Sequence, residues 1–183
     1  IKGNITPHEL SFKVINILNS VCRFNNQKLK DKVFRCFVGE NTNYDEVLAE
    51  CKNIKKTQDD KVNGVLDSTE IMETKNLNIM FTENANDISG LLANKIMSKY
   101  SKPSFVVHKK GEEYIGSCRS PVPIRDLLEE SGLFSICQGH SMAHGVGFSI
   151  YNLLIIRVPS LVHSISTGNF LADLSFCMLF MHL

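Results

Sequence analysis

The chain has 183 residues, 43% of them hydrophobic and 21% charged, with a formal net charge of +1 at pH 7. That composition fills a core for one ordinary domain plus an appendage and excludes a disordered or strongly basic protein, so any contact with nucleic acid must come from a local patch. Over the first 65 residues Lys and Arg outnumber Asp and Glu by eleven to eight, a surplus that solvated helical faces also show.

The order of elements is helical first and mixed later. Residues 7–19 and 27–38 carry apolar side chains at helical spacing, with Thr6 as a cap before Pro7 in the first helical position. Residues 43–60 predict a third helix with Val47, Leu48, Cys51 and Ile54 on one face. From Leu77 the period changes. Residues 77–82 read as a short apolar strand, and 87–100 as an amphipathic helix turning Ile88, Leu91, Leu92, Ile96 and Met97 inward. Residues 104–107 and 114–118 predict strands, 124–131 a short helix after Pro123, and 134–137 and 146–150 two further strands. This pattern predicts an α/β chain: a helical linker region over 1–65, then a mixed β-sheet domain with helices packed on it over 66–150.

The tail, 151–183, changes character. It holds one basic residue, Arg157, and one acid, Asp173, in an otherwise apolar and small-polar stretch. Its segment 170–183 is shorter than the ~20 residues a membrane span needs and is interrupted by Asp173, so no membrane partner is expected. The tail reads as the start of a truncated further domain or as the product of a frame error, in either case poorly ordered or aggregation-prone. The six cysteines, at 22, 36, 51, 118, 137 and 177, form no Cys-x-x-Cys pair. A structural zinc is therefore not expected, and buried, reduced thiols of a cytoplasmic protein are. No secretory signal is evident at the amino terminus. The chain begins with Ile1, which points to a fragment, a processed chain or an incomplete reading frame.

Two segments carry the chemistry. Gly116-Ser117-Cys118-Arg119-Ser120 and, after an amphipathic stretch, Gln138-Gly139-His140-Ser141-Met142-Ala143-His144-Gly145 read as two backbone-rich turns held close together. Glycine lets backbone N–H groups approach an anion, and Arg119 offers a planar fork of donors to two phosphate oxygens. Ser117 and Ser120 add hydroxyl donors, and His140 adds a further one. One such turn alone is more often an ordinary loop with a solvent-facing Arg, whereas the two together point to phosphate. His140 and His144 are four residues apart, a zinc-peptidase spacing on a helix, but Gly139, Gly145 and Gly147 surround them and no glutamate follows the first. A metal site is therefore not expected there. His8, His108, His163 and His182 are isolated and read as surface or satisfied core residues.

Residues 77–150 resemble the DHH-associated domain, the substrate-binding half of DHH-family phosphoesterases such as the RecJ-like single-strand exonucleases. The resemblance rests on Ser101-Lys102-Pro103 before the apolar strand 104–107, on Gly116 to Ser120, on Gly139-His140 with Ala143 and Gly145, and on Gly147-Phe148-Ser149-Ile150. Where members of the family carry Gly-Gly-His, this chain has Gln138-Gly139-His140. Residues 7–24 resemble the start of the long helix linking the two core domains of RecJ-like enzymes. There an Asn and an Arg one helical turn apart match Asn19 and Arg23, with Cys22 in place of the usual glycine. The polar edge of an amphipathic helix would look the same.

The resemblance implies a 5′-3′ single-stranded-DNA exonuclease of DNA repair, recombination or replication. In that family a pair of divalent ions, Mn2+ or Mg2+, held by an Asp-His-His motif and other ligands, drives phosphodiester hydrolysis. This chain contains no Asp-His-His. The implied catalytic DHH domain would precede Ile1, leaving here no catalytic residue and no bound cofactor. What remains is a surface for single-stranded DNA or an oligonucleotide, made by Arg119, His140, Gly139, Ser117, Ser120, Asn19 and Arg23. Two alternatives stay open: a DHH-family phosphodiesterase of short oligonucleotides or cyclic dinucleotides, and a non-enzymatic nucleic-acid-binding module of the same fold.

Overall fold

A computed structural model describes residues 6–40, 43–83, 86–153 and 156. The chain divides into two compact units, Ile1–Gly64 and Val65–Leu183. The first unit starts where the sequence says it should. The Thr6 hydroxyl accepts the Glu9 N–H at 3.2 Å, while the Glu9 carboxylate accepts the Thr6 N–H at 3.3 Å, a reciprocal cap reinforced by Pro7 in the first helical position. From this cap α1 (Pro7–Glu9) passes through a π-helical segment (Leu10–Ile15) into α2 (Asn16–Arg23). The Asn26 side chain caps α3 (Gln27–Phe37) by accepting the Leu29 N–H at 3.1 Å. A long helix, α4 (Tyr44–Ser68), follows and continues through Gly64 beyond its expected end at residue 60. Val21, Leu29, Val47 and Cys51 form the buried core of this unit, with Ile17, Val33, Cys36 and Ile54 packed against them. Leu48, expected to face inward, is 43% exposed.

The second unit is built on one six-stranded sheet of order β1-β2-β3-β4-β6-β5. Its strands are β1 (Ile71–Glu73), β2 (Asn78–Phe81), β3 (Ser104–Lys110), β4 (Glu113–Arg119), β5 (Phe134–His140) and β6 (Ala143–Ser149). The pairing of β2 with β3 is parallel and every other pairing is antiparallel, so the sheet is mixed. The parallel pair requires a crossover, which a 3-10 turn (Asn86–Ile88) and α5 (Ser89–Tyr100) provide. A short helix, α6 (Arg125–Glu130), connects β4 to β5. Among the described residues no helix is long and apolar enough to cross a membrane. The expectations for the tail, and for His163 and His182, fall on residues outside the described ones except at 151–153 and 156.

Strand alternation divides the unit into two layers. On one face Ile79, Phe105, Val107, Cys118, Val146 and Phe148 pack with Ile124 and Leu128 of the α6 segment. Aromatic rings bridge the strands there: Phe81 to Tyr114 at 5.1 Å, Tyr114 to Phe148 at 5.7 Å, Phe148 to Phe134 at 5.5 Å and Phe134 to Phe105 at 6.1 Å. On the other face the buried Met80 and Val106 lie on the side covered by α5, whose buried residues are Ser89, Leu92, Ala93 and Ile96.

One expectation is corrected by this sheet. Gly116 to Arg119, where the expected strand stopped at Cys118, and Gln138 to His140 are strand residues rather than turns. Gly116 lies opposite Val107, and a Cβ built on it would stand 2.0 Å from the Val106 carbonyl oxygen. The missing side chain serves the approach of β3 to β4, not the approach of an anion. Gly116→Ala should therefore destabilise the chain by about 2 kcal/mol or more, read as a lowered midpoint in chemical denaturation.

Candidate nucleic-acid interface

The register of three strands sets the geometry. Arg119, the last residue of β4, pairs with Ala143 of β6, and Ala143 pairs on its other side with His140 of β5. Paired positions project to the same face, so Arg119 and His140 flank Ala143 on the α5 side, about 10 Å apart at their Cα atoms by two strand spacings. His140 is exposed and Arg119 half-buried. The Arg119 Nη1 donates to the carbonyl of Cys118 at 2.7 Å. Its guanidinium also lies against Gly90 in the first turn of α5, where an added Cβ would meet Nη2 at 2.7 Å. Beside it the hydroxyls of Ser117 and Ser89 share a hydrogen bond of 2.9 Å.

The turn between β5 and β6 is held by its carbonyl groups. The Arg125 Nη1 donates to the Gly139 carbonyl at 2.9 Å, and the His144 Nδ1 lies 3.2 Å from that of His140. The N–H groups of Ile124 and Arg125 both reach the Ser141 carbonyl, at 3.1 and 3.2 Å, and the Ser120 N–H reaches that of Met142 at 2.9 Å. Four consecutive carbonyls are thus occupied, and none is left bare to repel an anion. Gly139, at φ +132°, takes a conformation that side chains rarely adopt.

Each residue singled out in the sequence now has a place. Ser120 is 2% exposed, and its hydroxyl accepts the Val122 N–H at 3.2 Å, which braces the loop. Gly139 shapes the turn, and Ser117 stands on the same face as Arg119 two residues earlier in β4. In the first unit Asn19 and Arg23 lie one turn apart on the exposed side of α2, opposite the buried Ser20 and Val21. His140 and His144 project to opposite faces of the hairpin because their pairing partners are adjacent residues. Among the described residues no three His, Cys, Asp or Glu side chains come together to hold a metal ion, so no step of metal chemistry is assigned to them. Gly90, Arg125 and His144 were missed in the sequence. The isolated glycine at the start of a helical pattern marks a close approach, and the alternation His144, Val146, Phe148 marks a buried strand face.

No protein-family model and no curated protein matches the chain in sequence. Solved structures do match in fold. RecJ from Thermus thermophilus in complex with Mg2+ superposes with a TM-score of 0.63 at 16% identity, over 85% of this chain and 26% of that one. The complex of the same protein with Mn2+ gives 0.53 at 17%, over 87% and 23%. A further structure, exonuclease RecJ bound to manganese, gives 0.51 at 16%, over 88% and 40%. The fold is therefore that of part of RecJ, and the chain spans about a quarter of the length of the Mg2+-bound protein.

His144 gives the second unit a pH dependence. Burial lowers its pKa from the ordinary 6.5, opposed by its bond to the His140 carbonyl and assisted by the neighbouring Arg119 and Arg125 cations. The Cys118 thiol at the paired position stays neutral, pushed up to about 12 by burial. The unfolded chain therefore takes up a proton at His144 that the folded chain refuses. Stability is at its full value above about pH 6.5 and falls as the pH drops from there towards the lowered folded pKa. Melting temperatures measured between pH 7.5 and 5 should fall, less steeply in His144→Asn, which cannot titrate.

Proposed function

We propose that this chain is the strand-gripping part of a RecJ-like exonuclease that degrades single-stranded DNA from its 5′ end. The observation that supports this most is the placement of Arg119 and His140 on one face of the sheet, either side of Ala143. A fork of donors on one side and an imidazole on the other suit successive phosphates of a backbone laid across β6, where Ala143 and Gly145 leave little side chain in the way. Ser117 lines the same face, and Ser120 and Gly139 hold the loops that carry the two gripping residues. Asn19 and Arg23, exposed one turn apart on α2, offer the first unit a polar contact of its own to a nucleic acid. The likeness in fold to a structure titled exonuclease RecJ supports a nucleic acid as the polymer.

Hydrolysis in this reading belongs to a metal-binding catalytic domain that the present sequence does not include, and the enzyme works in the cytoplasm in DNA repair, recombination or replication. The grip contributes to that chemistry by fixing the strand and placing positive charge where negative charge develops on the phosphoryl group.

Arg119→Ala should weaken binding of a 20-nucleotide single strand about tenfold or more and lower the salt dependence of binding by about 0.7 in its logarithmic slope. Arg119→Lys, which keeps the charge and loses the fork, should fall between the two. Unchanged affinity in Arg119→Ala would sink the reading. Gly90→Ala should leave the melting temperature nearly unchanged, because the atom it meets is the end of a flexible side chain, yet still weaken binding by displacing the guanidinium.

A further inference from the structure

The grip leaves one buried histidine without a role. His144 is 3% exposed, and its Nε2 is buried with no hydrogen-bond partner among the described residues. Its Nδ1 lies 3.2 Å from the His140 carbonyl oxygen. A carbonyl can only accept, so this bond places the ring proton on Nδ1 and leaves Nε2 a bare acceptor. Leaving a buried acceptor unpaired costs free energy, and the next residues on the same face of β6, Val146 and Phe148, are apolar side chains that fill such positions without that cost.

What the histidine supplies in exchange is a hold on one peptide group. The preceding residue, Gly139, has the φ of +132° that only glycine adopts readily, so the backbone entering His140 has little conformational restraint of its own. Arg125 ties down the carbonyl before that residue and the two N–H groups of the α6 start tie down the one after it. His144 ties down the carbonyl of His140 itself, from the face opposite to the one on which the His140 imidazole projects.

We propose that His144 is a positioning residue whose Nδ1–H fixes the peptide of His140 and so aims the His140 imidazole at the phosphate backbone of a bound single strand. This rests on the phosphate-gripping reading of His140. Freed of the bond, the His140 peptide turns about the glycine that precedes it, and the imidazole spends less of its time in reach of the phosphate.

The test uses the full chain and a 12-nucleotide single-stranded DNA. Nitrogen NMR of the unliganded protein should show His144 as the Nδ1–H tautomer, and His144→Ala should shift the His140 ring resonances. The same variant should weaken DNA binding about fivefold, and His144→Asn, whose amide N–H can reach the same carbonyl, should recover affinity to within about twofold. In a His140→Ala background, His144→Ala should cost nothing further. An Nε2–H tautomer, unmoved His140 resonances, or a loss that persists in full without the His140 side chain would overturn the proposal. His140→Ala binding as tightly as the original would instead overturn the phosphate-gripping reading, leaving the tautomer and the resonance shift to decide the positioning contact. Should His144→Ala fail to fold, the tautomer and the His144→Asn affinity decide it.

Discussion

The second unit depends on how the turn from β5 to β6 is secured. A two-residue connection between antiparallel strands normally takes its stability from residues that accept left-handed backbone, such as Asn-Gly. Ser141 and Met142 have no such preference. The turn is held from outside instead, by donors from the loop after β4, from the start of α6 and from β6. Each of these bonds contributes on the order of 1 kcal/mol, and together they decide which way the segment faces. The stretch from Ser120 to Arg125, well before the turn in sequence, must be in place before this turn has its shape.

The same arrangement explains why Arg119 stands half-buried. A guanidinium laid against the backbone of α5 keeps its planar fork in one place, which a fully solvated arginine would not. Gly90 makes room for it, and the carbonyl of Cys118 takes one of its donors. The neighbouring thiol, deep in the opposite layer, stays un-ionised and adds no competing negative charge. Cation and apolar core are one strand residue apart, and the sheet keeps them on separate faces.

Much of this was legible in the sequence, and the parts that were not share a cause. Helical periodicity located the helices of the first unit and α5, and the Thr6-Pro7 start was readable because capping is a local affair. The mixed sheet with helices on it followed from alternating periods. What escaped was that β4 runs on through Arg119 and that β5 runs on through Gly139-His140. Glycine-rich stretches disfavour strands in isolation, and here pairing with β3 and β6 overrides that preference. The role of Ser120 and the burial of His144 escaped for a related reason. The Ser120 N–H reaches the Met142 carbonyl and His144 pairs with Cys118 of β4, contacts that no local pattern reveals.

The edge position of β5 has a consequence for life in a crowded solution. An outermost strand offers a ladder of backbone groups to any passing chain, the starting point of intermolecular aggregates. This one is interrupted twice, by the register shift between Phe134 and Ile136 and by the unusual backbone of Gly139. Between the two interruptions only three residues remain in regular array, too few for a foreign strand to anneal.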